Sequence, residues 1–311
     1  MTRAEKKRRY RAFLQDILNR SDVLDYRAIV GIRELIEDMQ ERILGRIGGT
    51  LSSGNAFRTD GEGRLTDWGL FWIPRLIRSV DDIVKKISQE AGATLASMLA
   101  ESWTLGAELV DGTLQAIEPD VSLSSPRLDK IALTTLAPFS AQLITKIDEE
   151  TRHQVDRAIR RNVALGESPS VLMKTLQTKL DGKPSPFKSV AYRAELITRT
   201  EVARAQTLGR EARMQSYAAE FPDLFQGEDR FQYKFITVQR GPYPCKICAP
   251  LDGTVWDIDD PERPNPPTST HANCRCILSV VRKGLNSTTN TPKPTAKRQA
   301  AASLSECVCC H

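Results

Sequence analysis

All seven cysteines of this 311-residue chain lie beyond position 240: Cys245, Cys248, Cys274, Cys276, Cys307, Cys309 and Cys310. A disulfide-built secreted domain spreads its cysteines through the fold. A late cluster joined to a histidine reads instead as a metal site in one small module. The spacing is Cys245-Lys246-Ile247-Cys248, then His271-Ala272-Asn273-Cys274-Arg275-Cys276. A C-x-x-C turn brings two sulfurs to one ion, and Pro244 and Pro250 on either side favour a tight, non-helical knuckle. Zinc takes four nitrogen or sulfur ligands in a tetrahedron, and a structural site fills all four. Cys245, Cys248, His271 and Cys274 form such a set, with Cys276 as an alternative to Cys274. A structural Zn2+ here would close the 22-residue loop from Ala249 to Thr270. It would also supply folding energy that so few apolar residues cannot, on the order of 10–16 kcal/mol in finger peptides. A catalytic zinc needs an open position and a neighbouring base, and no Glu is spaced to serve. Cys307-Val308-Cys309-Cys310-His311 crowds four candidate ligands into five residues and reads as the end of an unstructured tail.

Upstream, helical periodicity dominates. From a cap at Ser21-Asp22, Ile29, Ile32, Ile36, Met39, Ile43 and Ile47 step by three or four, a single buried stripe stopped by Gly48-Gly49. Residues 49–66 read as a loop, and Trp68, Phe71 and Trp72 precede Pro74 in the first turn of the next helix. Leu76, Val80, Ile83, Ile87, Leu95, Met98, Leu99, Trp103, Leu109 and Leu114 carry that stripe to Ile117. Residues 128–162 are expected to be helical, with a break at Pro138 and with Thr151, Val155 and Ile159 inward. Ser168-Pro169-Ser170 opens another helix, and a last one runs from Phe187 to Ala218. Phe231, Tyr233, Phe235 and Thr237 alternate as in a strand. Asp252-Gly253 beside Val255-Trp256 is a hairpin signal, and residues 276–281 read as a final strand. The expected class is therefore mainly α, a bundle of long helices with a small C-terminal α+β zinc-knuckle module. Four regions follow: 1–125, N-terminal helices; 126–230, the helical part of the functional domain; 231–284, the β/zinc module; and 285–311, a polar, disordered tail.

The order Arg199-Thr200-Glu201, Cys245-x-x-Cys248-x-x-Leu251-Asp252-Gly253 and His271-x-Asn273-Cys274-Arg275-Cys276 resembles the phage Mu F-like head morphogenesis family of minor head proteins. The resemblance covers approximately residues 150–284, with Ala272 where the family usually has Pro. It implies a low-copy protein of the virion head interior, near the portal vertex, acting in head morphogenesis and in DNA packaging or ejection. It implies partnership with portal and other head or scaffold proteins, and no enzymatic activity. Arg199 and Glu201, two residues apart, face different sides of a helix and do not converge on one ligand. A structural role is expected instead, in which Arg199 or Glu201 docks the zinc module, through Arg275, onto the helices.

No run of residues approaches a membrane span, and the basic start MTRAEKKRRYRAFLQ has no apolar region of a secretory signal behind it. Host cytoplasm during assembly, then the virion, is the expected location, with no membrane or small-molecule partner. Non-specific contact with packaged DNA is permitted by the basic run Lys6, Lys7, Arg8, Arg9 and Arg11 and by Lys293, Lys297 and Arg298. Two other functions compete. A zinc-dependent nucleic-acid-binding protein is disfavoured because only Lys246, Arg263 and Arg275 are cationic between Cys245 and Cys276. A zinc hydrolase or transferase is the weakest reading, since no H-E-x-x-H, nucleophile elbow or phosphate-cradling loop occurs.

Overall fold

The computed structural model describes residues 2–52, 67–124, 146, 149–162, 165, 169–180, 190–237 and 246–283. Within them the chain is mainly helical with one small antiparallel sheet. Helix α1 spans Arg3–Ser52 and α2 spans Asp67–Ile117. Residues 149–162 form α3, followed by α4 (Pro169–Leu180) and α5 (Val190–Glu220). Strands β1 (Phe231–Ile236), β2 (Val255–Trp256) and β3 (Ile277–Arg282) complete the order.

The stripe expected in the first helix is buried throughout, from Ile29 to Ile47, but the helix bounds differ from expectation at both ends. Ser21-Asp22 is not a cap. Ile17 and Leu24 carry the buried face back past it, and the Ser21 hydroxyl donates to Gln206 Oε1 at 3.1 Å. Gly48-Gly49 does not stop the helix either. Each glycine costs roughly 1 kcal/mol against alanine in a helix, yet buried Ile47 and the Thr50 hydroxyl on the Arg46 carbonyl (2.8 Å) carry the helix on to Ser52. Pro74 likewise sits inside α2 rather than in its first turn. The missing N–H is tolerated because Ile73, Leu76 and Val80 around it are buried. Val84 is buried in place of Ile83, which is half-covered. In the second half of α2, Leu95, Leu99, Trp103, Leu109 and Leu114 face inward as expected, and the helix ends at Ile117. Thr151, Val155 and Ile159 form the inner face of α3. The break expected at Pro138 and the tail beyond Gly284 lie outside the described residues.

The chain forms two compact units built from non-consecutive stretches. One takes Ala28–Ala96 and Ala137–Thr198, so it holds the later half of α1, the earlier half of α2, α3, α4 and the start of α5. Its core is Ile, Leu and Val, and its surface carries ion pairs such as Arg33–Glu195 at 2.5 Å and Arg152–Asp81 at 3.7 Å. Exposed pairs of this kind contribute about 0–1 kcal/mol each, so burial of the apolar stripes holds this unit.

The other unit takes Met1–Arg27, Ser97–Leu136 and Arg199–His311. Here α2 and α5 approach until backbone meets backbone. A Cβ on Gly106 would lie 1.9 Å from the Gln206 carbonyl oxygen, and one on Gly209 would lie 2.0 Å from that of Trp103. Gly112 makes similar room for the Phe13 ring of α1. The sheet has the order β2-β1-β3, all antiparallel, with Tyr233 opposite Val280 and Trp256. Phe231, Tyr233 and Phe235 alternate inward along β1 and pack with Val110 and Leu114 of α2 and Met214 and Tyr217 of α5. β3 is buried at five successive positions, so both of its faces are covered. On one of them the Tyr10 hydroxyl of α1 meets the Ser279 hydroxyl at 2.8 Å. Asp252-Gly253 is a turn, with Gly253 at φ +76, but it closes no local hairpin. The strand it leads into pairs back onto β1.

Candidate metal centre

Two irregular segments build the site. The first begins with a turn at 246–248 that runs into a single 3-10 turn, Ala249–Leu251. Its end is hung from β1: Gly253 N donates to Phe235 O (2.9 Å), Phe235 N to Thr254 O (2.9 Å), and Thr237 N to the Asp252 carboxylate (2.8 Å). The Leu-Asp-Gly string thus fixes Cys248 relative to the sheet. The second segment is the tight turn at Ala272-Asn273 between His271 and Cys274. Asn273 adopts φ +63, a left-handed conformation that Asn tolerates better than most residues.

Helix α5 holds that second segment along one face. Arg199 donates from Nη1 to Asn273 Oδ1 at 2.5 Å and from Nε to Asp25 of α1 at 3.3 Å. Asn273 N donates to the Thr200 hydroxyl at 3.0 Å. Two turns on, Thr207 donates to Pro266 O at 2.5 Å and Arg210 to Asn265 Oδ1 at 3.1 Å. Glu211 accepts both arms of the Arg263 guanidinium at 2.8 and 3.0 Å. The positions 199, 200, 207, 210 and 211 recur at helical spacing, so one stripe of α5 clamps the loop between β2 and β3. Burial pulls the Glu211 carboxyl up, but the bonds from Arg263 and the charge of Arg210 hold it below the ordinary carboxylate range. Glu201, 2% exposed at its side chain, accepts from Arg204 at 2.8 and 3.0 Å. Arg275 and Arg199 both line a small recess, together with Asp25, Cys274 and Cys276.

Cys248, His271 and Cys274 converge, all three buried and with their ligand atoms within 4.8 Å of one another. Cys248 Sγ is 3.4 Å from His271 Nε2 and 3.7 Å from Cys274 Sγ. Metal–sulfur bonds of ~2.3 Å and metal–nitrogen bonds of ~2.0–2.1 Å at tetrahedral angles require edges of ~3.8 Å between sulfurs and ~3.5 Å between sulfur and nitrogen. The observed spacings fit that polyhedron and are far wider than the ~2.05 Å of a disulfide. His271 Nδ1 lies 2.7 Å from Ala272 O. A carbonyl only accepts, so Nδ1 carries the proton and Nε2 presents its lone pair to the cluster. Hydrogen bonds from Cys248 and Cys276 push the Cys274 thiol towards thiolate, and the same contacts push Cys248 up. Cys276, half-buried, therefore sits close to both sulfurs. Cys245 lies outside the described residues. What sequence reasoning missed is the set that braces the turn: Asp25, Asn273, Thr207, Arg210, Glu211 and Arg263. Only Asn273, in a position that needs a left-handed turn, carried any local signal.

This order of elements, an arginine-bearing helix, a strand, a Cys–Leu-Asp-Gly turn and a His–Asn–Cys turn, decides the comparison. Residues 153–279 match the family model of Phage Mu protein F like protein. The Mu F-like segment begins in α3 and ends in β3, so it holds the α5 clamp, the sheet and all three clustered ligands. It leaves α1 and α2 outside. The family points to a phage head or morphogenesis protein, and it is in general structural rather than enzymatic. No curated protein and no solved structure matches the chain. Among the described residues, no helix is long and apolar enough to cross a membrane.

Proposed function

We propose that the chain is a structural minor head protein of a tailed phage, working in head morphogenesis at the portal vertex and in DNA packaging or ejection. The observation that carries this reading is the match over residues 153–279. Among its described residues, one face of α5 braces the loop that presents His271 and Cys274. In this reading the protein resides in the head interior, is assembled in the host cytoplasm, and takes portal and other head or scaffold proteins as partners. Residues 1–125 supply the extended helical faces for those partners, 126–230 and 231–284 form the working domain, and 285–311 is a tail.

A structural Zn2+ belongs to the same proposal. Cys248, His271 and Cys274 would hold it, with Cys245 or Cys276 as the fourth ligand. The metal supplies a cross-link between the Leu-Asp-Gly turn and the His-Asn-Cys turn. Arg199 positions the second turn through Asn273, and Glu201 and Arg275 are the further docking residues of this proposal. Burial of Cys248, His271 and Cys274 supports a closed, structural site, because such a site has no open position for substrate.

Two measurements test the proposal. Metal analysis of the purified full chain should return about one zinc per chain, reduced at least severalfold in Cys248→Ser/Cys274→Ser. Phage carrying the same double substitution should yield few complete heads, scored by electron microscopy, and the protein should be missing from the particles that form. A metal-free wild-type protein that folds normally would remove the zinc. Wild-type particle yield from a deletion of the gene would remove the head function.

A further inference from the structure

The three sulfurs gathered beside His271 differ in exposure. Cys248 and Cys274 are each 1% exposed, whereas Cys276 is half-buried. Cys274 and Cys276 line the same recess as Asp25, Arg199 and exposed Arg275. Its cavity volume is about 30 Å³, against ~10–15 Å³ for one water molecule. Hydrogen peroxide, with two heavy atoms, fits such a space. A small polar reagent arriving from solvent meets Cys276 before it meets either of the two buried sulfurs.

Cys276 is also placed to pass on what it receives. Its sulfur lies within hydrogen-bonding reach of those of both Cys248 and Cys274. The backbone on either side of the cluster is fixed to the sheet. Cys276 leads directly into Ile277 of buried β3. Cys248 O accepts from Leu251 N at 3.0 Å, and the Leu-Asp-Gly segment that follows is hung from β1. Bridging Cys274 to Cys276 would close a ring across a single intervening residue, a strained arrangement. A bond from Cys276 to Cys248 joins two separate segments and avoids that strain.

We infer that Cys276 is an oxidant-sensitive thiol that closes a disulfide onto Cys248 in the metal-free protein. The oxidant is a small hydroperoxide, of which hydrogen peroxide is the simplest. The Cys276 sulfur attacks one peroxide oxygen, the O–O bond breaks, and a sulfenic acid forms as one water leaves. The Cys248 sulfur then attacks the Cys276 sulfur, the S–O bond breaks, and a second water leaves. Two electrons pass from the sulfur pair to the peroxide, and both thiol protons depart in the water. Cys248 is a zinc ligand in the reading above whichever residue is fourth, so zinc and this disulfide exclude one another. That exclusion rests on the zinc reading; the disulfide itself does not.

The test uses the full chain, reduced, stripped of metal by a chelator and treated with hydrogen peroxide, its thiols then mapped by mass spectrometry of unreduced tryptic peptides. Cleavage after Lys246 and Arg275 puts Cys245, the Cys248/Cys274 pair and Cys276 in three different peptides. The expected product joins residues 247–275 to 276–282, with fragmentation placing the bond at Cys248 and dithiothreitol reversing it. Cys276→Ser should lose the Cys248 thiol at least about tenfold more slowly. In metal-free wild type before oxidation, iodoacetamide should label Cys276 at least about tenfold faster than Cys248 or Cys274, a readout that needs no variant. The reduced protein should take up about one zinc per chain, and the oxidised protein far less. A Cys248–Cys274 bond that forms equally fast in Cys276→Ser overturns the inference. So does equal labelling of the three thiols, a bond from Cys276 to any cysteine other than Cys248, or a cluster that forms no disulfide. If the reduced protein takes up no zinc while the Cys248–Cys276 bond still forms, the zinc reading falls and the disulfide stands.

Discussion

Arg199 reaches Asn273 across 74 residues of sequence, and its other edge holds Asp25 of α1. One guanidinium thus joins the first helix, the last helix and the turn that presents His271 and Cys274. Arg199→Ala would remove one partner from a largely covered carboxylate and from a buried amide. We expect it to lower the unfolding free energy by about 3 kcal/mol, measured by urea denaturation. Its effect should be larger in the zinc-loaded protein, because the turn it braces carries two ligands.

The glycine crossing gives a second, sharply divided prediction. Gly106→Ala or Gly209→Ala places a methyl group about 2 Å from a backbone carbonyl on the facing helix, and overpacking of this kind costs about 1–3 kcal/mol or more. Gly45→Ala and Gly49→Ala meet nothing within 4 Å and lie in a helix, so each should gain up to about 1 kcal/mol from helix propensity. Thermal denaturation of the four variants should fall into two groups of opposite sign.

Stripes of Ile and Leu at intervals of three and four were enough to give α1 and α2, because burial of such a stripe leaves the backbone little choice. The alternation of Phe231, Tyr233 and Phe235 gave β1 in the same way. Helix ends were less legible. Ser21-Asp22 and Gly48-Gly49 look like stop signals, but buried Ile17, Leu24 and Ile47 outweigh them. The three clustered ligands were readable from spacing, since the same two-residue gap serves both turns. The brace was not. Arg263–Glu211 and Thr207–Pro266 join residues more than 50 apart, and such pairs leave no local pattern.

Glu211 should make stability depend on acid pH. Its carboxyl is held below the ordinary value when folded, so the stability it adds is complete above the unfolded value of about 4.3. That stability is lost as pH falls through the lower, folded value. Urea midpoints measured downward from neutral pH should fall less steeply in Glu211→Gln than in wild type. The variant should start lower at neutral pH, because Arg263 then loses the carboxylate that accepts both of its arms.

Zinc loading should release protons. His271 is oriented with the Nε2 lone pair towards the sulfurs, but Cys248 holds its proton against the neighbouring sulfurs, and metal binding must displace it. Apparent zinc affinity should therefore rise between about pH 6 and pH 8, with calorimetric heats that differ between buffers of different ionisation enthalpy. Treatment with a chelator should lower the melting temperature of wild type and leave that of Cys248→Ser/Cys274→Ser unchanged.

The bond between Tyr10 and Ser279 joins residues 269 positions apart. A ribosome adding about 5–20 residues per second needs roughly 15–50 s to deliver the second after the first. Throughout that interval the first helix is made but its covering strand is not, so the Tyr10 hydroxyl awaits its partner. The nascent chain is then an amphipathic cationic helix before it is a folded protein. Its final docking step belongs to the end of synthesis, when β3 emerges.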